Sequence, residues 1–365
     1  NKIYVVGRTE SFGAGDYDGF IAVFRKDGSL EWDRTWGGGF PDEIYDIALD
    51  KQGNIYVIGQ TLSFTAGRSD IFIAKFDSGG GLSWDRRLGG SEYEYYGGIT
   101  LDEQGNIYIV GTTRSYGVGG YDVFVAKLSP SGTLQWSLTW GTAGTADWGR
   151  GIVIDKRGNL YVVGKVSIGP LGNYDVFILK LDSDGNLIWS KIWGGSKGDD
   201  GRDIGVDKFG NIYVTGWTDS FGKGREGFLL RLNSDGRLLE QYVWGGDESD
   251  YLERMVVGDA LYLAGYTWSS TRTLREVSGT LQSFTASTTT PSVDISDPTA
   301  TVGDPSATIT DPAANIDQVA GPEAAILKFS LPAPVGGTII TQPQPENKTH
   351  LTTVIAAAIT VIIVT

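Results

Sequence analysis

Hydrophobic residues in this chain come in short runs, and the runs recur in a fixed order. Ile55-Tyr56-Val57-Ile58 is apolar at four consecutive positions, and Ile3 to Val6, Ile107 to Val110 and Leu160 to Val163 repeat the pattern. A run of this length, rich in β-branched and aromatic residues, predicts a strand covered on both faces rather than one with a wet side. The tyrosine of this phrase stands at Tyr4, Tyr56, Tyr108, Tyr161 and Tyr213, with a looser copy at Tyr262, giving steps of 52, 52, 53, 52 and 49 residues. A second phrase centres on Phe20, Phe72, Phe124, Phe177 and Phe228, and a late copy is Ile326-Leu327-Lys328-Phe329. The third carries Leu-x-Trp and then Trp-Gly-Gly: Trp32 and Trp36, Trp84 and Leu88, Trp136 and Trp140, Trp189 and Trp193, Glu240 and Trp244. The fourth is an apolar run ending at Asp50, Asp102, Asp155 and Asp207, degenerate at Met255 to Val257.

Turn residues such as Asp50-Lys-Gln-Gly-Asn54 separate the phrases, and none of them has helical periodicity. Each unit therefore supplies four strands, the content of one propeller blade. The expected fold is all-β: a β-propeller of about six four-stranded blades, with seven as the alternative if more chain lies upstream. The runs number three in the first blade, four in each of the next four and three in the last, twenty-two in all. The missing first strand is expected upstream of Asn1, and Gly337 to Thr341 is the candidate for the missing last one. Trp32 and Trp36, four residues apart, share one face of their strand and are expected to pack on the next blade.

Gly53-Asn54-Ile55-Tyr56-Val57, Thr61-x-Ser63-Phe64 and Asp70-x-Phe72-Ile73-Ala74-Lys75 resemble the SBBP family, a bacterial and archaeal β-propeller repeat. The resemblance covers residues 1 to about 267 and 323 to 330. It implies a secreted or surface-attached propeller and no particular chemistry.

Residues 1–267 and 323–342 are thus assigned to the propeller. Between them, 268–322 is a low-complexity insertion in the last blade, rich in Ser, Thr and Pro. It carries a small repeat at Asp297-Pro298, Asp304-Pro305 and Asp311-Pro312, and is expected to be an extended or flexible surface segment. Residues 343–350 form a polar linker with the glycosylation sequon at Asn347. Residues 351–365 carry no charge and read as a C-terminal membrane anchor cut short, since a spanning helix needs ~20 such residues. The alternative for this tail is a β-branched strand that pairs with its own domain or a neighbouring copy.

A formal net charge of -14 disfavours nucleic acid and anionic lipid headgroups as partners. The chain has no cysteine, and its single histidine, His350, lies in the linker. Thiolate chemistry, a Ser-His-Asp triad and a multi-histidine metal site in the propeller are thereby excluded. No catalytic residue and no cofactor is assigned.

Eight positions before the end of each first strand stands an acid: Asp42, Glu94, Asp147 and Asp199, with Asp250 in the near-equivalent place. Two readings apply. Converging carboxylates could bind Ca²⁺ or a basic ligand, with Tyr45, Tyr95, Tyr96, Trp148 and Tyr251 beside them to stack on sugars. Alternatively, each acid caps its own loop by accepting backbone N–H bonds, because a repeated position serves a repeated structural need. Asp18, Asp70, Asp122 and Asp175, with Glu226 and Glu323, recur before the third strand and read as loop-closing groups.

The expected function is that of an extracellular cell-surface module that binds or scaffolds, its partner a glycan or a protein. One alternative is a structural subunit of a surface layer or filament, self-associating through the tail. Another is a carboxylate-based polysaccharide hydrolase or lyase.

Overall fold

The computed structural model describes residues 2–167, 174–296, 301–303, 323–330 and 360–364, and these contain strands and no helix. The linker 343–350 with Asn347, the tail residues 351–359 and the candidate strand 337–341 lie outside the described residues.

Two compact units share the repeats. In the first, repeat 1 supplies β1 (Lys2–Thr9), β2 (Asp18–Arg25) and β3 (Leu30–Gly37). Repeat 2 supplies β4 (Asp42–Leu49), β5 (Ile55–Thr61), β6 (Asp70–Phe76) and β7 (Leu82–Gly89). Repeat 3 supplies β8 (Glu94–Leu101), β9 (Ile107–Thr113), β10 (Gly120–Leu128) and β11 (Leu134–Gly141).

The second unit opens with the two-residue β12 (Thr145–Ala146). Repeat 4 follows as β13 (Trp148–Ile154), β14 (Leu160–Ser167), β15 (Tyr174–Leu181) and β16 (Leu187–Gly194). Repeat 5 is β17 (Asp199–Val206), β18 (Ile212–Thr218), β19 (Glu226–Leu232) and β20 (Leu238–Gly245), and repeat 6 begins with β21 (Asp250–Val257) and β22 (Ala260–Thr267).

The insertion then forms five short strands: β23 (Thr273–Glu276), β24 (Thr280–Ser283), β25 (Ser287–Thr289), β26 (Asp294–Ser296) and β27 (Thr301–Gly303). After it, β28 (Glu323–Ser330) returns as the third strand of repeat 6, and β29 (Thr360–Val364) ends the chain's described part. Each repeat is one antiparallel sheet with its strands in chain order. The repeats thus deliver all twenty-two expected strands, each in its own sheet.

Two segments extend these sheets. The insertion is not a plain loop: β23, β24, β25, β26 and β27 each add a fifth strand, to repeats 5, 4, 3, 2 and 1 respectively. The place expected for a first strand upstream of Asn1 is taken by β29, paired with β1 from Lys2↔Val364 to Val6↔Thr360. Thr360–Val364 therefore follows the strand alternative for the tail, turned onto its own chain. Among the described residues no helix is long and apolar enough to cross a membrane.

Local chemistry explains why these runs form strands of these lengths. Asp50, Asp102, Asp155 and Asp207 each accept N–H bonds from the second and fourth residues beyond, as at Gln52 (3.0 Å) and Asn54 (2.8 Å). The same carboxylate takes the Asn side chain and the hydroxyl of the Tyr in the next strand, 3.2 Å away for Tyr108, Tyr161 and Tyr213. One carboxylate thus closes the hairpin and ties down the recurring tyrosine, while Gly53, with φ of 79°, supplies the left-handed turn residue.

The second tryptophan of each pair fills the space between sheets. Trp36, Trp140 and Trp193 are fully buried. The Trp36 ring lies 3.7 Å, centroid to centroid, from that of Phe72 in repeat 2, and its ring N–H donates to Asp85 at 3.0 Å. Trp193 makes the corresponding contacts with Phe228 and with Gln241 of repeat 5. Trp32 donates to the Ser78 carbonyl, so both tryptophans of repeat 1 lie on repeat 2 as their spacing predicted.

Candidate functional site

The five acids are buried, and their oxygens are taken up by their own surroundings. Asp42 accepts from the Gly38 N–H (2.8 Å) and the Ser63 hydroxyl (2.7 Å). Glu94 accepts from the Gly90 N–H (3.0 Å) and the Thr113 hydroxyl (2.8 Å). Asp147 accepts from the Ser167 N–H at 3.1 Å. Asp199 takes the Gly195 N–H, the Thr218 hydroxyl and the Ser220 hydroxyl. Asp250 takes the Gly246 N–H, the Thr267 hydroxyl and the Ser269 hydroxyl. The second reading of these positions, loop capping, describes the geometry. Among the described residues no group of three or more metal-ligating side chains is arranged to hold a metal ion.

The capping geometry also accounts for the Trp-Gly-Gly phrase. A Cβ on Gly194 would lie 2.2 Å from an oxygen of Asp175 and 2.6 Å from one of Asp199, and a Cβ on Gly195 would lie 2.6 Å from Cβ of Ser220. The first glycine leaves room for two buried carboxylates, and the second leaves room for the serine that bonds one of them.

The residue after each cap behaves differently. Every first strand from repeat 2 onward carries a bulge just past its capping acid, between Ile44 and Asp46, Tyr96 and Ile99, Gly149 and Gly151, Gly201 and Asp203, and Leu252 and Arg254. Opposite each bulge sits the glycine of the Tyr-Val-x-Gly phrase, and a Cβ on Gly164 would lie 1.8 Å from the Trp148 carbonyl oxygen. A bulge re-aims the side chains beside it. Here it governs Glu43, Tyr95, Trp148, Asp200 and Tyr251, which pair across the ladder with Gln60, Thr112, Lys165, Trp217 and Tyr266. The repeat therefore keeps the cap constant and varies its neighbour.

In the second unit these neighbours assemble into one strip of aromatic and cationic groups. Asp200 is buried, with Lys165 and Arg202 at 3.6 Å and Arg150 at 3.9 Å. Lys165 also lies over the rings of Tyr174 (4.3 Å) and Trp148 (5.8 Å), and Arg150 over Trp148 at 5.5 Å. Burial pulls the Lys165 ammonium below its ordinary pKa, with Asp200 opposing the shift. Arg202 continues to Glu253 at 3.6 Å.

Beyond it, Tyr251 and Tyr266 stack at 4.5 Å, with the half-exposed Trp268 edge-on to both at 6.0 and 5.3 Å. Arg225 lies 3.7 Å over the Trp217 ring and donates to Tyr251 (2.9 Å) and, through two nitrogens, to Asp219 (2.9 Å each). Its guanidinium is held above its usual pKa chiefly by that paired carboxylate. Two planar groups, Arg225 and Tyr251, are thereby fixed beside the half-exposed Trp268.

The first unit has a smaller tyrosine group. Tyr45 and Tyr96 lie 4.1 Å apart, and Tyr95 is flanked by Tyr93 (6.1 Å) and Tyr121 (5.8 Å). Burial, helped by Tyr121, pushes the Tyr95 hydroxyl up to about 12. Arg68 and Arg114 cover Tyr93 and Tyr121 at 5.0 and 5.8 Å.

Of the residues expected at a site, Trp148 and Tyr251 join the second unit's strip, Tyr45 and Tyr95 the first unit's group, and the acids withdraw into the loops. Sequence reasoning missed Arg150, Lys165, Asp200, Arg202, Trp217, Arg225, Tyr266 and Trp268. For Lys165, Asp200, Trp217 and Tyr266 the signal was the reverse of the one sought: they follow an acidic cap or pair with the residue that does, at positions where the copies disagree.

Known proteins resemble the chain in its repeats. The model of the SBBP β-propeller repeat matches residues 36–64, 84–117, 135–165 and 188–222, and that of a second β-propeller domain, of unknown function, matches 210–238. The regulatory protein FlaEY of Caulobacter vibrioides is 23% identical over 234 residues, which are 56% of this chain and 24% of that protein. An uncharacterized protein of Aquifex aeolicus is 26% identical over 201 residues, 55% of this chain and 53% of the other. The chain thus spans between a quarter and about half of the length of these relatives. A crystal structure of a protein of unknown function from Dyadobacter fermentans aligns with a TM-score of 0.41 and 10% identity, covering 73% of this chain and 93% of that one. Repeat models, six antiparallel sheets and the pairing within each sheet agree: the chain is a six-bladed β-propeller, and four stretches of it match the SBBP β-propeller repeat.

Proposed function

We propose that this propeller is a carbohydrate-binding module displayed outside the cell, binding without turnover, and that its contact surface is the strip of the second unit from Trp148 to Trp268. The observation that carries the reading is the division of labour beside the caps. Positions that build the loops repeat, whereas the adjoining positions diverge into Trp148, Asp200 and Tyr251 on first strands and Lys165, Trp217 and Tyr266 on second strands. Divergence on a constant scaffold is the property of a contact surface, and flat rings with fixed edges suit the apolar faces of sugars.

The charge of the strip narrows the ligand. Arg150, Lys165 and Arg202 gather around Asp200, with Arg202 also at Glu253, so three cationic groups stand together in this strip on a chain whose net charge is -14. A glycan bearing carboxylate groups, such as a uronate-containing polysaccharide, satisfies both features, and a cation-rich strip strengthens its capture most at low salt.

Calorimetric titration with oligogalacturonate, a neutral cello-oligosaccharide and a chitosan oligomer tests this. The acidic oligosaccharide is expected to bind with an affinity that falls on adding salt, and Trp268→Ala to weaken it about tenfold, the loss of one stacking contact. Absence of binding to the acidic ligand, or an undiminished affinity in Trp268→Ala, contradicts the proposal.

A further inference from the structure

The insertion carries a regularity that the Asp-Pro triplet shows only in part. Residues 271–319 divide into seven heptads, with Leu274, Leu281, Thr288, Ile295, Val302, Ile309 and Ile316 at the fourth position. The third position is Thr273, Thr280, Ser287, Asp294, Thr301, Thr308 and Asn315. The seventh is Val277, Phe284, Pro291, Pro298, Pro305, Pro312 and Val319.

The first five heptads are the five strands β23 to β27, and all five dock in one register. The third position pairs with the glycine that ends a fourth strand: Thr273↔Gly245, Thr280↔Gly194, Ser287↔Gly141 and Asp294↔Gly89, and likewise Thr301↔Gly37 at the end of β3. The fourth position then falls opposite the residue before that glycine, which is Trp244, Trp193, Trp140, Leu88 and Trp36 in turn. Seven residues later the chain is in the same place on the preceding repeat.

Packing gives the step its physical content. Leu274 lies against the core of repeats 5 and 6, and Val277 and Leu281 against that of repeats 4 and 5. The strands they cover would otherwise present unpaired backbone beside large apolar side chains, a template for pairing with other chains. Three or four residues of each of the first five heptads make the ladder. Pro291, at a seventh position and unable to donate to a ladder, falls between β25 and β26.

We infer that the insertion is a strap in which one heptad clamps one repeat, that the heptads are interchangeable, and that the strap's role is to close the outer edges of the propeller sheets. The heptad length, rather than the identity of each heptad, sets the register. Because the sequence continues for two heptads past Gly303, loss of one heptad leaves another to take the last place.

Two deletions in the full chain separate this from a merely sticky loop. Removal of residues 285–291, one heptad, is expected to preserve slow amide hydrogen exchange at the outer edges of β3 and β7. Removal of residues 290–292 throws the following strands out of register, because an odd shift within a ladder turns every side chain to the wrong face. Exchange at those same edges should then rise at least tenfold, with dimers or larger species by size-exclusion chromatography. The strap is overturned if the two deletions behave alike, whether both protect the edges, both expose them or both unfold the protein. It is also overturned if the seven-residue deletion proves the more damaging.

Discussion

Asp199 and Asp175 show how one residue position serves the fold here. Both carboxylates press on Gly194, one from the first strand of repeat 5 and one from the third strand of repeat 4. Burial pushes the Asp175 carboxyl up to about 6, and the Asp199 carboxylate adds to the shift. An aspartate in the unfolded chain titrates near 4, so the folded state holds this proton more tightly. The resulting stabilisation is complete below about pH 4 and is lost as pH rises through about 6, on the order of 2 kcal/mol. Thermal unfolding followed between pH 4 and 7 should therefore show a melting temperature that falls with rising pH, and Asp175→Asn should flatten the fall. An unchanged slope in that variant contradicts the assignment. At this scale the sequence disclosed the recurring acids but left two readings of them, because the groups that choose between the readings, Gly195, Thr218 and Ser220, are brought to Asp199 only by the loop and the neighbouring strand.

At the scale of elements, each phrase of a repeat became one strand of that repeat's sheet, four in repeats 2 to 5 and three in repeats 1 and 6, legible because apolar runs flanked by Asp-Gly turns have no competing helical reading. The bulge on each first strand was not legible. It depends on a contact across the ladder, the glycine of the second strand under the carbonyl of the first, as with Gly164 and Trp148. Gly164→Ala would drive a Cβ into that carbonyl and the Phe177 ring, costing about 3 kcal/mol. Denaturant unfolding should show this loss, whereas Gly28→Ala, at a turn glycine with open space around it but φ of 83°, costs about 1 kcal/mol. The insertion was half legible. Asp-Pro marks only its later heptads, while Leu274 and Leu281 stand in heptads without proline, and a seven-residue period in an extended strand has no meaning until the sheets it visits are known. The tail, read first as an anchor, contributes Thr360–Val364 to the sheet of repeat 1 as a β-branched strand.

For the whole molecule, the class of the fold followed from the repeats alone, since six copies of one unit, four with all four strands and two with three, permit few architectures. The candidate surface did not, because a repeat search rewards positions that agree and the strip is made of positions that differ. The account's central claim is this separation: the capping acid holds the fold and its neighbour meets the ligand. The most direct test measures melting temperature and affinity for oligogalacturonate together in two variants, Asp199→Ala and Trp148→Ala. Asp199→Ala removes the acceptor of three donors, of which the Thr218 hydroxyl is buried, and should lower stability by about 2 kcal/mol, while the folded protein binds as wild type does. Trp148→Ala, at a half-buried position, should weaken binding about tenfold with a smaller loss of stability. If both variants lose stability and affinity in parallel, or if the cap variant alone loses binding, the separation of cap and neighbour is wrong.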